Sequence, residues 1–513
     1  MFGSKISRFA VAALLLFSMG GIAHAQHFAQ HYDVVIAGGR VIDPETGLDA
    51  VRHIGISGDR IDVVSTQPLS GATVIDASGK IVVPGFVDLH THGTTTISQQ
   101  MQLLDGVTTA LELELGTVKG EALADLYADG TASNFGASAG YMSARMLVKN
   151  GIILRSGTAL PMPAGLKGIG SIIDYAINGF EEALAPTYQE KASADEISQI
   201  NRVLAEELDK GALGIGLTLD YMSEAINEAE LRAVFELAAA RDVPLYIHIR
   251  RGINGDPAGL REVIDLAKQT GAAIHICHIT HNAMVNLDLF LDEITVARNE
   301  GVDITVEVLP FEAGSTNIGA AVFRRDWRTI YGIDYGDVQR ADTGAWFTEE
   351  SFKAYQRDHP DAPIIHHYLN KGQTRRALSD PEMIIVSDLI SITTLDKKVP
   401  PHNTAFTRVL DLFVKLEQII SLPDAISRMT LKPAQRLQKM APAFARKGRL
   451  QTGADADIVV LDWDRLAHRA SYQDPYAPTV GVEYVLVNGQ VAVINGALVA
   501  AVKAGRLLTS LSE

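Results

Sequence analysis

His90 and His92 alternate through Asp88-Leu89-His90-Thr91-His92-Gly93, at the end of an apolar run that begins at Ile81. In an extended chain residues i and i+2 face the same way, so Asp88, His90 and His92 share a side. Two imidazoles on one face, where a strand enters a loop of Gly and Thr, suit a divalent metal. Further along, Glu112 and Glu114 alternate with leucines in Ala110–Gly116. A carboxylate inside a core is costly unless it is paired or metal-bound. Glu114, nearer the end of the segment, is the expected ligand; Glu112, deeper, is an acceptor for a ligand histidine. His248 closes Tyr246-Ile247-His248, His278 follows His275-Ile276-Cys277, and Asp388 follows Ile384-Ile385-Val386-Ser387. Alternation turns His278 inward and packs His275 and Cys277 against helices. His90, His92, Glu114, His248, His278 and Asp388 are therefore the expected ligands of one or two divalent ions. Zinc suits imidazole and carboxylate, with manganese or iron as alternatives. The chemistry is hydrolysis: bound water becomes acidic enough to ionise near neutrality, and Asp388 serves as general base and then general acid.

These residues fall at regular places in an alternation of strands and helices. Strands are expected at Phe86–His90, Val107–Leu115, Phe135–Tyr141, Leu213–Leu219, Pro244–Ile249, Ala273–His278, Ile304–Leu309 and Met383–Ser387. Helices are expected between them, at Ile97–Leu104, Glu121–Tyr127, Ser193–Lys210, Asn227–Ala240, Leu260–Thr270 and Leu287–Glu300. Ser193 and Glu196 have capping-box spacing. Eight such units fit an α/β fold of the (β/α)8 TIM-barrel type, whose chemistry gathers at the carboxyl ends of its strands. Gly319–Asp380 is too long for an ordinary connection and is expected to cap the mouth. Both chain ends read as short strands and turns, so they are expected to meet in one small β-domain.

The 513 residues suit a large barrel with an accessory domain. A net charge of −16 argues against nucleic acid and anionic membranes as partners. Cys277 is the only cysteine, so no intrachain disulfide forms. Lys5 and Arg8 precede the apolar run Phe9–Met19 and a small-x-small site at Ala23-His24-Ala25. That is the tripartite layout of a secretory signal peptide cleaved after Ala25, with a periplasmic or secreted product expected.

The pattern Pro84-Gly85-Phe86-x-Asp88-x-His90-x-His92, followed by His248, His278 and Asp388, resembles the amidohydrolase superfamily. Within it the chain is similar to the N-acyl-D-amino-acid deacylases, the D-aminoacylase and D-glutamate deacylase-like proteins. Supporting segments are Gly106–Thr109, Asn134–Arg145, Gly211–Gly214, Ala313–Thr316, Pro400–Phe406, Met429–Ala434 and Gly448–Asp457. The resemblance implies a metal-dependent barrel over residues 85–444 and a β-sandwich built from residues 26–84 and 445–513. It implies hydrolysis of the amide bond of N-acyl-D-amino acids, N-acyl-D-glutamate among them, and it alone carries the D preference. There are departures. The D-aminoacylases resembled here place a cysteine ligand on strand two, where this chain has Glu114 or Leu115. A strand-two carboxylate can bridge two metals, so a binuclear centre is expected. Tyr141 stands where a histidine is typical, and Leu309-Pro310-Phe311 lacks the tyrosines typical of the family.

An N-acyl amino acid carries a carboxylate, and an arginine fork matches it. Arg250 and Arg376 are the candidates, with Ser315 as a hydroxyl partner and Tyr221 either contacting the carbonyl oxygen or simply packing. The small-molecule amide could instead be a dipeptide or a cyclic amide, and a metal-binding protein without catalysis is the remaining alternative.

Overall fold

The computed structural model describes residues 31–118, 130–154, 161–178, 180–396, 398–500 and 502–512. Residues 1–25, expected to be a signal peptide, and the helix expected at Glu121–Tyr127 lie outside the described residues. Eight parallel strands form the barrel: Phe86–Asp88, Val107–Thr117, Asn134–Gly140, Ile215–Thr218, Leu245–His248, Ile274–Ile276, Ile304–Val308 and Met383–Ile385. Each pairs with its successor in chain order. Closure comes past the strand ends, where Thr91 bridges Leu389 in parallel. There the Asp388 amide donates to the His90 carbonyl and the His92 amide to the Leu389 carbonyl, both at 2.8 Å. Runs such as Ile215–Thr218 and Leu245–His248 are buried at every residue. That is the signature of strands covered on both faces, by the barrel interior and by the helix layer.

The helices alternate with the strands and pack on them. Ala194–Asp209 begins with the capping box formed by Ser193 and Glu196. Gly165–Asn178 and Phe180–Tyr188 are helices that the periodicity had not marked. Strand three stops at Gly140, and Tyr141 opens the helix Tyr141–Asn150. Tyr141 and Arg145 are both buried on Glu230, so Tyr141 serves the helix layer rather than the mouth. No helix among the described residues is long and apolar enough to cross a membrane.

The chain ends meet in one nine-stranded sheet. His31–Asp43 pairs in parallel with Ser70–Asp76 through its first half and with Ile81–Pro84 beyond it. Ile458–Leu461 runs antiparallel to Ile81–Pro84 and so joins the two ends. Ile36, Ile54, Ile56, Ile458 and Val460 fill a core of its own. Between strands seven and eight a second insertion folds as a three-stranded antiparallel sheet, Gly314–Asn317, Val338–Arg340 and Pro363–His366. It already begins at Gly314, five residues before the expected cap. Phe323, Trp327, Phe347, Phe352 and Ile364 pack it.

Candidate metal centre and catalytic cavity

The six expected ligands converge at the carboxyl mouth of the barrel. Glu114 is at their centre. His248 Nδ1 lies 2.9 Å and His278 Nε2 2.8 Å from its Oε1, while His90 Nε2 and His92 Nε2 lie 3.4 and 3.5 Å from its Oε2. Asp388 Oδ1 lies 3.4 Å from both His90 Nε2 and His92 Nε2. Three overlapping triads result, His90–His92–Glu114, His90–His278–Asp388 and Glu114–His248–His278, each with its donor atoms within 4.8 Å of one another. His90 Nε2 is buried and has no hydrogen-bond partner among the described residues. A buried imidazole nitrogen left so is costly, and a cation answers it.

The opposite edges of His90 and His92 are fixed from behind. His90 Nδ1 donates to Glu307 at 2.5 Å, and His92 Nδ1 donates to Glu112 at 2.9 Å. His248 Nε2 differs: it faces the Arg251 guanidinium at 3.4 Å, with Asp220 at 3.9 Å. The carboxylates behind His90 and His92 set the tautomer and leave the other nitrogen free for a metal. Glu112 plays the part expected of it. Glu307 and Asp220 were missed, although Glu307 breaks the apolar run Ile304–Val308 as Glu112 and Glu114 break theirs.

Burial would raise the carboxyl of Glu114, but the imidazoles of His90 and His248 hold it well below the ordinary range. The same balance, set by His90 and His92, keeps Asp388 low. Burial opposes the charged form of Asp220 too, and Arg251, His248 and Arg325 outweigh it. Asp388 and Glu114 are thus ionised near neutrality and can serve as ligands.

His278 and Asp388 reach the mouth through left-handed backbone, with φ of 34° and 50°. A left-handed residue resets the alternation of side chains, and that overturns the sides assigned to strand six. Cys277 is inward: its sulfur lies within 4.8 Å of donor atoms of His90 and Glu307. His275 is inward as well, with Nε2 donating to Glu307 at 2.8 Å.

A cavity of about 300 Å³ opens above the six residues, walled by Tyr221, Arg251, Tyr331, His366 and Tyr368. Tyr221 packs edge-on against His248, at 5.1 Å between centroids. Ser315 lines the wall, but its hydroxyl donates to the Ile364 carbonyl at 2.9 Å. Arg250 and Arg376 are not there. Arg250 turns to the helix layer, where it pairs with Glu262 at 2.8 Å and the Ile226 carbonyl at 2.6 Å. Arg376 is exposed on the cap and pairs with Asp288 at 2.9 Å. Arg251 holds the wall instead. Its guanidinium touches Asp220 at 3.3 Å and the Tyr331 hydroxyl at 2.8 Å. Arg325 pairs with the same Asp220 at 2.9 Å. Two guanidiniums share one carboxylate, so one positive charge is left over beside the cavity.

A (β/α)8 barrel with this donor set at its mouth defines a hydrolase of the metal-dependent class. The model of the amidohydrolase family matches residues 81–492, and the chain belongs to that family. It is 28% identical over 483 residues to the N-acyl-D-glutamate deacylase of Alcaligenes xylosoxydans xylosoxydans, covering 89% of this chain and 93% of that one. It is 25% identical over 487 residues to the D-aminoacylase of the same organism, covering 91% and 95%. Among solved structures, the N-acyl-D-glutamate deacylase from Bordetella bronchiseptica, complexed with zinc and a phosphonate mimic of the tetrahedral intermediate, superposes with a TM-score of 0.74. That match has 24% identity and covers 94% of this chain and all of that one.

Proposed function

We propose that this protein hydrolyses the amide bond of N-acyl-D-amino acids, N-acyl-D-glutamate among them, at a binuclear centre. The observation that carries the reading is the buried, unpartnered His90 Nε2, which lies 3.4 Å from both Glu114 and Asp388. Glu112, Glu114, Glu307 and Asp388 crowd around His90 and His92, an excess of negative charge that divalent ions offset. His90 and His92 would hold one ion with Asp388, His248 and His278 the other, and Glu114 would bridge them. Zinc fits these donors. When bound, the metal supplies an acidic water and polarises the carbonyl oxygen.

The chain's own groups do the rest. Asp388 accepts a proton from the water and passes it to the departing amide nitrogen. Arg251 receives the substrate carboxylate with its surplus charge, beside the hydroxyls of Tyr331 and Tyr368. Tyr221, on the wall next to His248, orients the carbonyl. The D preference and the choice of glutamate are supported by the relatives. Export is supported by the Lys5–Ala25 segment.

The test is metal content together with amine release from N-acetyl-D- and N-acetyl-L-amino acids side by side. About two metals per chain and D-selective release are expected. Turnover confined to dipeptides or cyclic amides would sink the deacylase reading.

A further inference from the structure

A second cavity, of about 240 Å³, adjoins the catalytic one. Leu115, Tyr221, Thr316 and Asn317 line both. Past this shared wall the lining turns apolar, with Met142, Tyr188, Ala320 and Ala321. Among the described residues lining it, charge appears only at its edge, on the exposed Arg324 and Asp361.

We infer that this second cavity receives the acyl arm of the amide, so that the protein prefers long apolar acyl groups over acetyl. The inference rests on the deacylase reading and adds to it the class of acyl donor. The reacting carbonyl has to sit over Glu114 and Asp388, because those carboxylates face the ligand imidazoles. Leu115 follows Glu114 directly, so the apolar cavity opens one residue from the centre. Two arms leave that carbonyl. One ends in a carboxylate, and its cation, Arg251, lines only the first cavity. Among the described residues the second cavity offers this arm only Arg324, exposed at its edge with Nη2 on the Gly319 carbonyl at 3.0 Å. Asp361 at the same edge repels a carboxylate. The charged arm therefore occupies the first cavity and the apolar arm the second. Burying each added methylene favours binding by about fourfold.

The experiment is kcat/KM for the metal-loaded protein on N-acyl-D-alanine with acetyl, butanoyl, hexanoyl and octanoyl groups. A parallel set keeps acetyl and changes the amino acid from D-alanine to D-leucine and D-phenylalanine. A rise of about fourfold per methylene along the acyl series is expected, with a smaller gain along the side-chain series. Ala321→Trp is expected to bring the octanoyl-to-acetyl ratio toward one. A flat or falling acyl series beside good acetyl turnover would overturn the inference and spare the deacylase reading. So would a gain that follows the side chain instead. No turnover in either series, nor of N-acetyl-D-glutamate, would remove both. The wild-type series decides the matter even if Ala321→Trp fails to fold.

Discussion

On the floor of the catalytic cavity His90 and His92 are each held from two sides, by Glu114 and Asp388 in front and by Glu307 or Glu112 behind. The roof is made differently. Tyr331, His366 and Tyr368 pack as a cluster of rings with centroids 4.6 to 5.0 Å apart. His366 Nδ1 there has no partner among the described residues. Ring stacking is weakly directional, whereas a carboxylate-imidazole pair fixes a nitrogen in space. The floor is thus suited to set the reaction and the roof to set which amide reaches it. Changes to the floor should cost rate or metal, and changes to the walls and roof should alter selectivity.

The comparison can be broken most directly at Asp388. Asp388→Asn should lower kcat by about a thousandfold while circular dichroism shows an intact fold. Retained activity would remove the general base. Next is Glu307→Gln, a test of the support behind His90. It should lower metal affinity or activity by about tenfold to a hundredfold, read as metal kept after dialysis against a chelator. Arg251→Met sharpens the contrast between floor and wall. Charge-assisted hydrogen bonds contribute about 1.5–3 kcal/mol, so kcat/KM for a carboxylate-bearing amide should fall by about tenfold to a hundredfold, mainly through KM. An uncharged amide should feel much less of it.

His468, outside both regions, gives a pH control. Burial, helped by Arg408, pushes its pKa down to about 4, so the fold keeps the neutral ring. Its contribution to stability is complete above the unfolded value near 6.5 and disappears as pH falls through about 4. His468→Gln should therefore lessen the loss of stability between pH 7 and 4, by about 2–3 kcal/mol, as followed by thermal melts. The smallest effect belongs to Arg376→Ala. This exposed pair with Asp288 should matter by less than about 0.5 kcal/mol, and activity should be unchanged in the same assay.

Most of the floor was legible because barrel chemistry collects at strand ends, and an ionisable residue in a buried run stands out. His90, His92, Glu112, Glu114 and His248 are read that way, and the same logic extended to Ile304–Val308 finds Glu307. The reading failed where the period changed. Cys277 and His275 take the opposite face from the one expected because alternation is counted back from His278, which itself has left-handed backbone. Arg250 and Arg251 follow the end of strand five at His248, where no period applies, and only packing shows which of them turns inward. Arg376 lies on the cap helix Lys371–Leu378, whose direction depends on the sheet beneath it.

By itself the sequence determined the barrel, the joining of the chain ends and the six donor residues, because hydrophobic period and residue type are local properties of the chain. The tertiary structure alone decided the pairing of Glu307 with His90, the choice of Arg251 over Arg250 and Arg376, and the apolar cavity beside the metal centre. Each of these depends on elements far apart in the chain, such as Glu307 with His90 or Ala321 and Leu115 lining one cavity. No local pattern encodes such distances.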